Sequence, residues 1–84
     1  MFKVYLEEKA AKKLKKLPVD IRKRLIEKLK LLRKGFSPHL DIRKLKGYKD
    51  HYRLRIGDFR LLFYLTDNKI IVYKIGRRES VYSS

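Results

Sequence analysis

The sequence contains no cysteine, only two histidines and only nine acidic residues, and each shortage excludes a class of protein. Without cysteine, the chain has neither a disulfide framework nor a thiolate metal site. A small protein that needs no disulfide suits a reducing compartment, so we expect a cytoplasmic location. The acidic residues are scattered and the histidines lack zinc-ligand spacing. We therefore expect no metal and no cofactor.

Long hydrophobic segments are also missing. The longest apolar run covers residues 61–65, whereas a membrane helix needs roughly 20 apolar residues. The first five residues are not followed by the apolar stretch of a signal peptide. We therefore expect a protein that does not enter a membrane. The length of 84 residues indicates a single domain over residues 1–84, with a thin core.

Positive charge is the most prominent feature that is present. The chain has 24 Lys and Arg residues and a formal net charge of +15, which favours a polyanionic partner. Residues 1–47 contain 12 Lys and 4 Arg, and residues 48–84 contain 3 Lys and 5 Arg. Lysine is a well-hydrated point charge, whereas arginine binds phosphate through a planar fork. We therefore interpret the lysines as solvated surface and the arginines as candidates for anion binding.

Hydrophobic periodicity predicts an α+β fold. Helical spacing of apolar residues predicts two helices that meet at Pro18, the second ending near Gly35. Alternation of apolar and polar residues predicts strands over residues 2–6, 41–46, 51–56, 59–66 and 70–75. The resulting fold is an N-terminal strand and an α-helical hairpin packed on one face of a small, mostly antiparallel sheet. The other face of the sheet stays open.

The arginines of the second half of the chain gather on or beside three adjacent strands. Strand alternation places Arg53 and Arg55 on the open face, and the predicted anion-binding group also contains Arg60, Arg77 and Arg78. Aromatic rings next to arginines can stack on unpaired RNA bases. Candidates for contact with RNA are therefore Tyr48, His51 and Tyr82, whereas we expect Tyr52, Tyr64 and Tyr73 to lie at the edge of the core.

Three segments carry a resemblance to a known family. They are residues 44–47 (KLKG), residues 52–63 (YRLRIGDFRLLF) and residues 75–82 (IGRRESVY). In this order and spacing they resemble the RelE/ParE superfamily of toxins, and the resemblance covers nearly the whole chain. It implies the RelE-like fold of microbial-RNase type. It also implies a ribosome-dependent, metal-free endoribonuclease that cuts mRNA in the A site.

The resemblance assigns roles to five catalytic residues. By that assignment Arg60 grips the scissile phosphate, and Arg78 stabilises the transition state or protonates the leaving 5′-oxygen. Tyr82 stacks on a base and can accept the proton of the 2′-hydroxyl group, and Lys46 binds RNA. RelE-type enzymes often carry lysine where this chain has Arg53 and Arg55. Since arginine stays protonated, these two positions act here only through their charge.

The resemblance also implies partners. Toxins of this kind are neutralised by an acidic antitoxin, here RelB-like, and we expect a heterodimer or heterotetramer in addition to binding of the ribosome and mRNA. The antitoxin is expected to cover the arginine face or to displace the tail that bears Tyr82. Two other functions stay open. One is a ParE-like inhibitor of DNA gyrase without nuclease activity, and the other is an RNA-binding module without catalysis.

Overall fold

The computed structural model describes residues 1–78, so Tyr82 lies outside the described residues. The order of elements confirms the predicted α+β fold. The elements are β1 Lys3–Leu6, α1 Glu8–Lys16, α2 Val19–Leu32, β2 Asp41–Lys44, β3 His51–Ile56, β4 Phe59–Thr66 and β5 Lys69–Arg77. Strands β3 and β4 have the predicted bounds.

The five strands form one sheet in the order β1-β5-β4-β3-β2. The pairs β2–β3, β3–β4 and β4–β5 are antiparallel, and β1 pairs parallel with β5. Two-residue turns join the long strands. Asp67 and Asn68 both have positive φ, 46° and 63°, which is the type I′ pattern that matches the twist of a hairpin. Gly57, with φ 58°, has the positive φ of the first turn position in type II′.

The two helices form the predicted hairpin. Pro18 occupies the N-cap position of α2, where its missing N–H costs no hydrogen bond. Arg22 Nη1 donates a hydrogen bond of 3.1 Å to the carbonyl oxygen of Lys15 across the hairpin. After α2, Gly35 has φ 122° and its N–H bonds the carbonyl of Leu32 at 3.0 Å. The helix therefore ends where a residue without a side chain is needed.

The core lies between the helical hairpin and one face of the sheet. Leu25, Leu29 and Leu32 form the buried stripe of α2, while Ile26 and Leu31 beside it are exposed. The stripe packs against buried residues of β3, β4 and β5, which are Leu54, Ile56, Phe59, Leu61, Phe63, Ile70, Val72 and Ile75. Alternating residues of these strands face away from the helices, as predicted. That second surface is called the open face below.

Strand β5 contains an irregularity that its sequence does not show. Leu62 pairs with Lys74 but the next residue, Phe63, pairs with Val72, which leaves Tyr73 as the extra residue of a β-bulge. Strict alternation would place Val72 and Ile75 on opposite faces. Because of the bulge, both join the core, and Tyr73 and Lys74 lie side by side at one pocket of the open face.

Strand β2 is two residues shorter than the predicted segment 41–46. Its last paired residue is Lys44, although the N–H of Leu45 still bonds the carbonyl of His51 at 2.9 Å. Beyond this bond the chain turns through Gly47 and Asp50, which have φ of 81° and 59°. Pairing ends here because residues with positive φ cannot continue a strand.

Candidate functional site

The pairing of the strands places arginines opposite one another on the open face. Arg43 of β2 lies opposite Arg53 of β3, and Arg55 of β3 lies opposite Arg60 of β4. Like charges directly opposite each other in a sheet destabilise it. The sheet therefore carries two repulsive pairs side by side, and an anion bound between them would relieve that repulsion.

These side chains line a depression of about 470 Å³, called the arginine cleft below. Its lining residues are Asp41, Arg43, Arg53, Arg55, Arg60 and Arg78. Arg78 reaches the cleft because its backbone N–H bonds the carbonyl of Asp58 at 3.0 Å, which ties the end of β5 to the β3–β4 turn. Five guanidinium groups thus surround one carboxylate.

Arg60 is the most rigidly held of the five arginines. The residue is only 4% exposed, and its Nη1 donates hydrogen bonds of 3.0 Å to Gly57 O and 3.1 Å to Phe59 O. Its Nε is buried and has no hydrogen-bond partner among the described residues. An unsatisfied buried donor costs about 1–3 kcal/mol. The guanidinium is therefore fixed by the β3–β4 turn through Nη1, while its Nε is enclosed by protein.

Arg53 and Asp41 form the one ion pair within the described part of the cleft. Arg53 Nη2 lies 3.6 Å from Asp41 Oδ1, and the two side chains are 19% and 48% exposed. At this distance and exposure the pair stabilises the fold by less than about 1 kcal/mol. The Nε of Arg53 is also buried without a partner among residues 1–78. One carboxylate therefore does not neutralise the five guanidinium groups of the cleft.

The structure brings together four of the five predicted catalytic residues: Arg53, Arg55, Arg60 and Arg78. The fifth, Tyr82, lies outside the described residues. Sequence reasoning missed Asp41 and Arg43. Both alternate on β2 with Ile42, which packs on the core, but only the pairing of β2 with β3 reveals that they reach the cleft.

Arg77 lies away from the cleft, in contrast to the predicted group of five arginines. Its guanidinium carbon is 5.0 Å from the centre of the Phe59 ring, and Phe59 belongs to the core on the helix side of the sheet. Arg77 also follows the core residue Ile75 by two positions, so it shares the face of Ile75. The alternation of side chains along β5, counted from the apolar residue Ile75, could have predicted this placement of Arg77 from the sequence.

A second cluster on the open face is built from aromatic rings around His51. The centre of the His51 ring lies 5.6 Å from that of Tyr48, 5.4 Å from that of Tyr64 and 5.6 Å from that of Tyr73. The expectation that Tyr64 and Tyr73 edge the core is wrong, because β4 alternation and the β5 bulge direct them to the open face. Tyr52 does stack on Phe63 of the core, with ring centres 5.6 Å apart.

A pocket of about 430 Å³ opens beside this cluster and is called the aromatic pocket below. It is lined by Leu45, Lys46, Tyr48, His51, Leu62, Tyr73 and Lys74. Burial, together with the negative charge that Tyr48 and Glu7 can carry, raises the pKa of the Tyr73 hydroxyl. This hydroxyl therefore stays protonated at neutral pH. Three residues predicted to contact RNA, Lys46, Tyr48 and His51, meet in this pocket.

Residues 1–78 contain no cluster of three or more His, Asp or Glu side chains that could hold a metal ion. Neither α1 nor α2 has the length and apolar content that a membrane crossing requires.

Comparison with known proteins gives matches over almost the whole chain. A family model described as the ParE toxin of the type II toxin-antitoxin system parDE matches residues 4–82. The chain is 35% identical over 83 residues to toxin RelE3 of Methanocaldococcus jannaschii, covering 95% of this chain and 94% of that protein. It is 36% identical over 83 residues to the mRNA interferase toxin RelE of Escherichia coli, covering 92% and 85% respectively.

The fold is similar to that of a solved toxin. A chain in the crystal structure of the RelB-RelE antitoxin-toxin complex from Methanococcus jannaschii matches with a TM-score of 0.80 and 30% sequence identity. The match covers 92% of this chain and 93% of that chain. The sheet and helical hairpin described above are therefore those of this group of proteins.

Proposed function

Because the chain belongs to the ParE toxin family of type II toxin–antitoxin systems, we propose that it is a toxin that cleaves mRNA in the ribosomal A site. The observation that carries this proposal is the arginine cleft. Five guanidinium groups converge on one surface, and the innermost, that of Arg60, is held by two hydrogen bonds to backbone carbonyls at the β3–β4 turn. The relative RelE of Escherichia coli carries the name mRNA interferase.

The chemistry of the cleft suits a phosphodiester. Arginine forks bind phosphate oxygens in pairs and stay charged throughout the reaction. Fixed donors aimed at developing negative charge stabilise a transition state, and removal of one such donor typically costs about 10²–10³ in kcat. Arg60 is the fixed donor that holds the scissile phosphate, and Arg53 and Arg55 neutralise the additional charge of the transition state.

The proposed reaction uses a nucleophile that the RNA supplies. The 2′-oxygen forms a bond to the adjacent phosphorus, and the bond from phosphorus to the 5′-oxygen breaks. The products are a 2′,3′-cyclic phosphate and a 5′-hydroxyl group. The 2′-hydroxyl must lose a proton and the leaving 5′-oxygen must gain one. By resemblance to the family Tyr82 accepts the first proton. Arg78 stabilises the charge on the leaving 5′-oxygen, which takes its proton from water.

The same charge distribution supports an acidic antitoxin as partner. The related toxin of Methanococcus jannaschii was crystallised with RelB, and complementary charge accelerates association and selects the partner. A RelB-like antitoxin binds this chain in a heterodimer or heterotetramer and covers the arginine cleft. Residues 1–84 act as one toxin domain in the cytoplasm, where the ribosome and mRNA are found.

A cleavage assay on ribosomes tests the proposal. Purified toxin is added to ribosomes programmed with mRNA, and primer extension maps the cuts. The parent should cut within the A-site codon, while Arg60→Ala and Arg78→Ala should each lose at least about 10²-fold in cleavage rate. Circular dichroism confirms that the variants are folded.

The matched control for this assay is Arg33→Ala, which removes an exposed arginine that follows α2 and should cleave like the parent. If Arg60→Ala and Arg78→Ala also cleave like the parent, the cleft is not the active site. Inhibition of DNA gyrase supercoiling by a parent protein that leaves ribosome-bound mRNA intact would establish the ParE-like alternative instead.

A further inference from the structure

We propose that the aromatic pocket binds one unpaired base of the RNA whose phosphate lies in the arginine cleft. The inference rests on the proposed function, since it concerns the RNA that the toxin cleaves. It adds a base-binding site built by Tyr48, His51 and Tyr73 to the phosphate-binding site built by the arginines.

The lining of the pocket matches a flat, apolar ligand with a charged backbone. Leu45 and Leu62 supply aliphatic surface, aromatic rings supply stacking surface, and Lys46 and Lys74 bring positive charge. A volume of about 430 Å³ falls within the usual range of about 300–1,000 Å³ for small-ligand pockets. Every base has a π-face that stacks on an aromatic ring, so such a pocket accepts single-stranded RNA.

Tyr48 provides the exposed stacking surface. The residue is 63% exposed, does not belong to the core, and contacts the His51 ring at an interplanar angle of 49°. Burial of the core therefore does not account for the position of this ring. A base that covers Tyr48 would remove a large aromatic surface from water, which stabilises the complex.

His51 holds the pocket in place. Its Nδ1 lies 2.7 Å from the carbonyl oxygen of Lys49, and because a carbonyl oxygen only accepts hydrogen bonds, Nδ1 carries a proton. In the neutral ring Nε2 is then the acceptor. Tyr64 and Tyr73 contact the same ring from β4 and β5. The imidazole is thus restrained by one hydrogen bond and by rings of two neighbouring strands, so the site is preorganised.

The pocket and the cleft are continuous along β3. His51, Arg53 and Arg55 occupy every second position of β3 and therefore share the open face. Since a strand rises about 3.4 Å per residue, the backbones of His51 and Arg53 are roughly 7 Å apart. Leu62, which lines the pocket, pairs with Arg53 on one side and Lys74 on the other. An RNA strand that follows β3 therefore meets phosphate-binding and base-stacking groups in succession.

An antitoxin side chain is the competing occupant. Negative charge would attract an acidic peptide to Lys46 and Lys74, but the lining between them consists of rings and aliphatic side chains. A nucleotide combines a flat apolar base with a phosphate, so it satisfies both the rings and the adjoining arginines. The observations therefore favour RNA, and the experiment below includes the antitoxin as a contrary outcome.

The experiment uses the full-length chain with ribosomes programmed with mRNA that carries 2-aminopurine in the A-site codon. A 2′-deoxy nucleotide at the cut site prevents cleavage, and stacking of 2-aminopurine lowers its fluorescence. The probe is placed in turn at each codon position. The variants are Tyr48→Ala and Tyr73→Leu, and the control is Tyr5→Ala, which removes a tyrosine that is 47% exposed on β1 of the same sheet.

The parent and Tyr5→Ala should quench the probe at one codon position, whereas Tyr48→Ala should not. With cleavable mRNA, Tyr48→Ala should raise KM roughly 5- to 100-fold, which corresponds to loss of one base–aromatic stack. Tyr48→Phe should restore both readouts. Since Tyr48 lies outside the core, this variant keeps its fold, and Tyr73→Leu provides an independent second test from β5.

Failure of this inference is distinguishable from failure of the proposed function. If the parent cleaves and Tyr48→Ala and Tyr73→Leu match Tyr5→Ala in quenching and in KM, the base-binding site is refuted and the nuclease stands. If no protein cleaves but quenching depends on Tyr48, the pocket binds RNA and the nuclease is refuted. If the two variants weaken only binding of an acidic antitoxin, the pocket belongs to the antitoxin and the inference is overturned.

Discussion

The arginine cleft and the aromatic pocket occupy one face of the same sheet but differ in the contacts between their side chains: those of the cleft repel one another, and those of the pocket pack together. In the cleft, Arg43 faces Arg53 and Arg55 faces Arg60, so neighbouring groups repel and buried donors lack partners among the described residues. In the pocket, the rings contact each other around His51. An anion in the cleft would therefore relieve repulsion, whereas the rings of the pocket already contact one another.

This difference separates two contributions to the proposed reaction. A group that binds the charge that develops in the transition state lowers kcat when removed, whereas a group that binds substrate and transition state equally raises KM. Changes in the cleft should therefore act mainly on kcat and changes in the pocket mainly on KM. The following variants test that division, in order of decreasing expected effect.

Arg43→Ala tests whether an arginine that only strand pairing places in the cleft takes part in the reaction. We expect kcat on programmed ribosomes to fall about tenfold with little change in KM, because the variant removes one of five charges around the phosphate. Lys44→Ala is the matched control, since it removes a positive charge from the next position of β2, whose side chain faces the other way. Equal rates for Arg43→Ala and Lys44→Ala would exclude Arg43 from the site.

Asp41→Asn tests whether the carboxylate orients Arg53. The ion pair of 3.6 Å is lost, and since such a pair is worth less than about 1 kcal/mol, kcat should fall about two- to fivefold. The cleft also becomes more positive, so KM should decrease at low salt. Kinetics at two salt concentrations measure both effects. An unchanged kcat with a lower KM would show that Arg53 needs no orientation by Asp41.

Arg77→Ala tests the separation between the two sides of the sheet. Its guanidinium lies over Phe59, and loss of this cation–π contact should lower the free energy of unfolding by about 0.5–1 kcal/mol. Urea denaturation measures that change. Cleavage should stay within about twofold of the parent, and a loss as large as that of Arg43→Ala would place Arg77 in the active site after all.

Much of the fold was predictable because the local signals agree with one another. Strand β3 alternates cleanly, β4 is bounded by two turns, and these turns contain Gly57, Asp67 and Asn68, which adopt positive φ. The ends of β2 and β5 were less predictable. Strand β5 runs over Lys69–Arg77 instead of residues 70–75, because pairing with β4 continues past the last apolar residue.

The site was predictable in part. Arg53 and Arg55 could be placed on the open face because residues of one strand alternate, and Arg60 could be recognised as the one charged residue of a central strand. Tyr64 follows Arg60 by four positions, so alternation along β4 was sufficient to place it on the same face. The direction of Tyr73 could not be predicted, because β5 shifts its phase at the bulge between Val72 and Lys74.

Helices, strands, turns and the number of arginines depend on residues a few positions apart, so the amino-acid sequence alone is enough to predict them. The folded sheet sets which side chains meet. It joined Arg43 to Arg53 across two strands, directed Tyr73 to the open face through one extra residue, and left Arg77 over Phe59 on the other side. The physical reason is that strand register and bulges follow from packing of the whole core, and a shift of one residue moves a side chain to the opposite face.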